Sequence, residues 1–286
     1  MRVLVTGAEG QVGYDVCTAL SARGVVYRGA GRRNFDITDA EGTRRHIMTY
    51  RPDAVIHCSA WTAVDRAEDE PERCRTVNVD GARNIAEACR EIGAKMLYLS
   101  TDYVFPGAGE RFYEPEDPTG PLSVYGRTKL EGERVVRELL DRYFIVRISW
   151  AFGRHGNNFV RTMLRLAKSR DEVSVVCDQV GSPTYTADLA PLLCDMVETD
   201  RYGVYHATNE GVCSWAEFAR EIFRLTGRNV SVNPVPTSAY PARAVRPLNS
   251  RMSKERLEQM GFSRLPDWHD ALRRYLCGER LTANLR

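Results

Sequence analysis

Tyr125 and Lys129 stand four residues apart in Tyr125-Gly126-Arg127-Thr128-Lys129. On a helix that spacing puts both side chains on one face. The chain has 13 tyrosines and only four lysines (95, 129, 168 and 254) among 286 residues, so such a pair is rare by chance. A free phenol titrates near ~10, and a nearby ammonium favours its ionised form. The pair can therefore deliver a proton to a carbonyl oxygen as hydride reaches the carbonyl carbon, and Lys129 can also hold a nicotinamide ribose. The alternative is a partly buried core tyrosine beside a surface lysine. Ser100-Thr101-Asp102 closes one apolar run and Ser59-Ala60-Trp61-Thr62 closes another. A hydroxyl in the first place can hydrogen-bond the same carbonyl oxygen. Trp150 follows a third run, either as a platform for a sugar ring or as core packing.

Gly7-Ala8-Glu9-Gly10-Gln11-Val12-Gly13 follows the opening apolar run Val3-Leu4-Val5. Gly7 permits a tight turn, Gly10 a close approach to a pyrophosphate, and Gly13 close packing of helix on strand. The helix that begins there offers N–H groups and the positive end of its dipole to phosphates. A dinucleotide site is the reading, against a merely structural turn. At the end of the second strand an acid usually holds the 2′-hydroxyl of an adenine ribose. Here the chain reads Ala30-Gly31-Arg32-Arg33-Asn34, with no acid in that place. Two guanidiniums suit a 2′-phosphate, which tilts the expectation toward NADPH with NADH still open. Solvated surface arginines are the alternative. Asp36 and Ile37 follow, where the loop can line an adenine pocket.

These residues need a scaffold, and the apolar pattern supplies one. Strands are expected over 2–6, 25–30, 54–58, 96–100 and 144–149, with helices over 12–22, 40–50, 72–92 and 121–141. Alternation of this kind means a Rossmann-type doubly wound parallel sheet covered on both faces, with ligands at the carboxyl ends of its strands. Beyond Trp150 the rhythm loosens: helices over 158–169, 187–198 and 214–226, strands over 173–177 and 203–206, a proline-rich binding loop over 234–247, and two closing helices over 253–260 and 268–276. Residues 1–150 are thus expected to form a dinucleotide-binding domain, joined by parts of 173–206, and 151–286 mainly a smaller α/β substrate lobe. A net charge of +2 argues against a nucleic-acid partner bound by charge. No apolar run approaches ~18 residues, and no signal peptide is read at the start, so a cytoplasmic protein without a membrane partner is expected. The eight cysteines lack a CxxC pair and read as buried thiols. None of the five histidines pairs with Cys or carboxylate at metal-ligand spacing, and each reads as structural. Asp65 serves either the floor of the site or a helix cap.

Thr or Ser, Tyr and Lys around a nicotinamide form the working set of the short-chain dehydrogenase/reductase superfamily. The chain more closely resembles its dTDP-4-dehydrorhamnose reductase family. The resemblance rests on Gly7 to Gly13, on Thr62-Ala63-Val64-Asp65, on Ser100 to Phe105, on Pro121 to Gly132 and on Arg147-Ile148-Ser149-Trp150. It continues in Gly156-Asn157-Asn158-Phe159, Asp178 to Thr184, Val235 to Pro241 and Arg246 to Ser250, in the family's order over nearly the whole chain. It implies an extended-type reductase acting on the 4-keto group of dTDP-6-deoxy-L-lyxo-4-hexulose to give dTDP-L-rhamnose. It implies catalytic Thr101, Tyr125 and Lys129, and a cofactor lined by Gly10, Gln11, Val12, Asp36, Ile37, Ala60 and Thr62. It places Thr101, Asp102 and Trp150 at the sugar nucleotide, with Arg246 and Asn249 as diphosphate contacts. Some members dimerise through magnesium at an acid early in the first helix, where this chain has Asp15. The other ligands are not identifiable, and the chain is expected as a monomer or homodimer. One rival is a nucleotide-sugar epimerase or dehydratase of the same superfamily; Thr101-Asp102-Tyr103 lacks the adjacent Asp-Glu of a dehydratase. The other is a non-catalytic subunit like the regulatory subunit of methionine adenosyltransferase, against which segment 235–250 argues.

Overall fold

The computed structural model describes residues 1–33 and 35–283, with side chains described to residue 278. Five strands, β1 (Arg2–Thr6), β2 (Val26–Ala30), β3 (Ala54–His57), β4 (Lys95–Thr101) and β5 (Tyr143–Ile148), join Gly203–His206 in one parallel sheet. Its order is Gly203–His206, β5, β4, β3, β1, β2. β3 is buried along its whole length, and Val3, Leu4 and Val5 of β1 are fully enclosed. Continuous apolar strands of this kind demand cover on both faces. On one face α1 (Gln11–Ala22) sets Val12, Val16 and Leu20 among Leu189, Leu193 and Met196, which belong to the later helix Thr186–Val197. On the other, α2 (Ala40–Tyr50) and α5 (Gly81–Ile92) bring Ile47, Ile85, Ala86 and Cys89 against Leu4, Val55 and Met96. The direction of winding reverses between β1 and β3, and a crevice opens there beyond the carboxyl ends of the strands.

Four departures from the sequence pattern matter for the site. α3 (Val64–Asp69) is a six-residue helix whose acids and arginine gave no apolar period to read. The expected helix over 72–92 is interrupted: α4 (Pro71–Arg75) runs into a π-helical turn, Thr76–Asp80, before α5. That turn lets Asn78 accept from the Trp61 backbone N–H at 2.8 Å and donate to Thr128 Oγ1 at 3.0 Å. Strand Glu172–Val176 lies outside the main sheet and pairs with Ser231–Val235, so the expected loop begins after Val235. The last helix runs Trp268–Ala283, longer than its apolar stripe.

α6 (Val124–Leu139) carries Tyr125 and Lys129. Ser123 caps it, accepting from the Gly126 N–H at 3.1 Å. The second lobe packs Phe152, Tyr185, Phe218, Trp268 and Tyr275 around the helices Phe159–Leu166 and Trp215–Thr226. Ser214 and Glu217 form a capping box on the latter. Among the described residues no helix is long and apolar enough to cross a membrane.

Candidate active site

One cleft of about 970 Å³ follows the strand ends from the glycine turn to the second lobe. It is lined by Gly7, Gly10, Gln11, Val12, Gly13, Arg32, Asp36, Ile37, Ala60, Thr62, Thr101, Asp102, Tyr125, Lys129 and Trp150. The structure thus brings together most of the residues read from the sequence. Gly7 has φ +65°, and a Cβ there would stand 2.8 Å from the Ser59 nitrogen. A Cβ at Gly13 would run into the Gly7 carbonyl. Only glycine lets turn, third strand and first helix meet this closely. Gly10 caps α1 without a side-chain hydrogen bond, and the first turn has no acid, so the leading amides suit a phosphate. This cradle, with a buried lysine at its far end, fits a nicotinamide dinucleotide.

Three of the predicted residues do not reach the cleft. Arg33 points to solvent, with 91% of its side chain exposed. Arg246 is half-buried and spoken for by Asp65, with Nη2–Oδ2 at 2.6 Å and Nη1–Oδ1 at 3.1 Å. Asn249 is 1% exposed; its amide donates to Arg111 O at 2.8 Å, and its oxygen accepts from the Arg251 N–H at 3.2 Å. It shapes the loop and has no free atom for a diphosphate, which corrects the expectation for that residue.

Lys129 Nζ donates to Leu99 O at 2.7 Å and lies 4.0 Å from the centre of the Tyr98 ring. Burial pulls the ammonium down to about 7, and Glu133, one turn further along α6, opposes the shift. Glu133 is held by Arg147 through two bonds of 2.9 and 2.7 Å and by Ser100 Oγ. The Ser100 hydroxyl is thereby committed to Glu133 although the residue lines the cleft, which leaves Thr101 as the hydroxyl beside Tyr125. Burial pushes the Tyr125 phenol up, and the Thr101 hydroxyl acts the other way. The Tyr-x-x-x-Lys spacing leads one to expect that Lys129 eases ionisation of Tyr125; in this structure burial dominates and Thr101 is the group that opposes it.

Thr101 Oγ1 also lies in hydrogen-bond contact with Asp102 Oδ1 at 2.9 Å, and Ser250 Oγ donates to Oδ2 at 2.5 Å. Asp102 is 2% exposed and lifted to about 6 by burial against those two bonds. It therefore ties the end of β4 to the second lobe beneath Thr101. Trp150 has φ +50°, a left-handed backbone that costs a bulky residue about 1–3 kcal/mol. Trp215 stacks on it with centroids 3.8 Å apart, and Thr184 N–H donates to its carbonyl at 3.2 Å. Trp215, Glu9, Arg73 and Tyr103 also line the cleft and were missed from the sequence. Trp215 carries no local signal beyond its place after the Ser214 cap, because only the fold sets it against Trp150.

Asp15 accepts from Thr186 Oγ1 and faces Arg154 and His155, and burial raises its carboxyl. Among the described residues no three His, Cys, Asp or Glu side chains gather as a metal set.

Residues 1–280 match the RmlD substrate binding domain family. The dTDP-4-dehydrorhamnose reductase of Streptomyces griseus is 46% identical over 278 residues, covering 95% of this chain and 91% of that protein. The crystal structure of the Bacillus anthracis dTDP-4-dehydrorhamnose reductase in complex with NADP superposes with a TM-score of 0.94 at 42% identity, covering 97% of this chain and 99% of the other. The dTDP-4-dehydrorhamnose reductase ortholog of Clostridium acetobutylicum gives 0.96 at 39% identity, covering 98% and 100%.

Proposed function

The chain belongs to the RmlD substrate binding domain family, and on that footing we propose that it reduces the 4-keto group of dTDP-6-deoxy-L-lyxo-4-hexulose with NADPH or NADH, giving dTDP-L-rhamnose. The observation that carries the reading is the meeting of Thr101, Tyr125 and Lys129 at the strand ends of one cleft that also holds the glycine cradle. The reduced nicotinamide supplies hydride to the carbonyl carbon. Tyr125 supplies the proton to the carbonyl oxygen. A phenol pushed up by burial keeps its proton until negative charge develops on that oxygen, which suits an acid in the reducing direction. Lys129, fixed on Leu99 O, holds the ribose and stabilises the phenolate once the proton has left. Thr101 orients Tyr125, and Trp150 with Trp215 walls the sugar side.

The test follows oxidation of NADPH and of NADH by absorbance in the presence of dTDP-4-dehydrorhamnose, with the sugar product identified in parallel. Stoichiometric formation of dTDP-L-rhamnose is the expected result. Cofactor that remains reduced, or a product that keeps its 4-keto group, would overturn the reading.

A further inference from the structure

The second strand ends at Ala30 without an acid of its own, yet the structure puts one there. The Ala8 N–H donates to Ala30 O at 3.3 Å, which draws the glycine turn over the end of β2. The Glu9 side chain then lies across Gly31: a Cβ at Gly31 would stand 2.6 Å from Glu9 Cδ and 2.8 Å from Oε2. Gly31 thus leaves the space that Glu9 fills. Glu9 and Arg32 both line the cleft, and the Glu9 carboxylate is 4.0 Å from Arg33 Nε. No hydrogen bond joins the Glu9 carboxylate to another described side chain, and 59% of the side chain is exposed. The other acid that lines the cleft beside it has one carboxylate oxygen engaged locally. Asp36 Oδ1 accepts from the Thr38 N–H at 3.0 Å and from Thr38 Oγ1 at 2.8 Å, which holds its carboxyl below the usual range.

An adenine ribose in a fold of this kind sits at the end of the second strand, where a carboxylate accepts from free hydroxyls and a guanidinium pairs with a 2′-phosphate. Both chemistries meet here, Glu9 from the turn and Arg32 from the strand end. We propose that Glu9 is the cofactor-specificity residue of this chain: it accepts the ribose hydroxyls of a dinucleotide without a 2′-phosphate and repels the phosphate of one that carries it, so that the site serves both cofactors. The inference rests on the reading that the cleft binds a nicotinamide dinucleotide.

The test measures binding of NADPH and NADH by titration calorimetry, and kcat/KM for each with dTDP-4-dehydrorhamnose. Wild type is compared with Glu9→Gln and Gly31→Ala. Glu9→Gln keeps size and removes the charge. It is expected to raise the NADPH-to-NADH affinity ratio by about five- to tenfold, the difference between a charge-assisted and a neutral hydrogen bond. Gly31→Ala should move the ratio the same way, because its methyl group displaces the flexible Glu9 side chain and leaves its charge. A ratio that stays within twofold of wild type in both variants overturns the proposal, and so does an equal loss for both cofactors. Wild-type protein that binds neither dinucleotide would instead overturn the reading on which the proposal rests.

Discussion

Tyr125 holds its proton through burial, and removing the phenolic oxygen should leave fold and cofactor affinity intact. Tyr125→Phe is expected to lower kcat by about 10²–10⁴, the usual worth of a positioned general acid. Turnover near the wild-type rate at saturating sugar nucleotide would show that another group delivers the proton. Lys129 makes a prediction about pH. Burial brings its ammonium to about 7, against an ordinary value near ~10.4. Between those values the unfolded chain binds the additional proton, so stability rises with pH across that window. The destabilisation is complete below about 7 and gone above about 10. Lys129→Met should therefore raise Tm at pH 6.5, with a gap to wild type that narrows by pH 9.5. An equal gap at both pH values would contradict a depressed lysine. Tyr125 and Lys129 are legible in sequence because a helix turns their spacing into proximity. The tie from Asp102 to Ser250 and the place of Glu9 over Gly31 are not, because each depends on a partner that only tertiary structure brings near.

α6 presents the tyrosine from its first turn, so its cap bears on both stability and chemistry. Ser123→Ala removes the acceptor for the Gly126 N–H and should cost about 0.5–2 kcal/mol. Fraying at that end moves Tyr125, so kcat should fall while NADPH affinity, which depends on the next turn, changes little. Denaturant unfolding and steady-state kinetics on the same preparation check both halves. A stability loss with unchanged kcat would show that the cap serves the helix alone. The long elements read well: the helix Ala40–Tyr50 and the strand Gly203–His206 begin and end where the apolar pattern puts them. α3 and the two-residue strands at Val180–Gly181, Thr184–Tyr185 and Asn249–Ser250 are too short to show a period. The π-helical turn at Thr76–Asp80 was hidden because one residue added to a helix leaves its composition unchanged.

Across the whole molecule, the loop of the second lobe is fastened to α3 of the first. Asp65 accepts from Arg246, from the Arg243 N–H at 3.2 Å and from the Ala244 N–H at 3.1 Å, while Arg243 also pairs with Asp69. A double-mutant cycle on Asp65→Ala and Arg246→Ala should give a coupling of about 0.2–1 kcal/mol, the range of partly exposed pairs. Faster proteolysis of 236–248 in either variant should accompany it, and a zero coupling would mean that the backbone amides alone hold the loop. The lobes interleave along the chain: the main sheet takes its last strand from 203–206 and α1 takes its cover from Thr186–Val197. That interleaving has a consequence for the birth of the protein. When the first 150 residues have left the ribosome, the edge of β5 is still unpaired and Val12, Val16 and Leu20 still lack the cover of Thr186–Val197. A chain cut at residue 150 should therefore aggregate and not fold. During synthesis this apolar face has to be shielded until residue 206 emerges, so a nascent-chain chaperone would find its longest opportunity to bind over that interval.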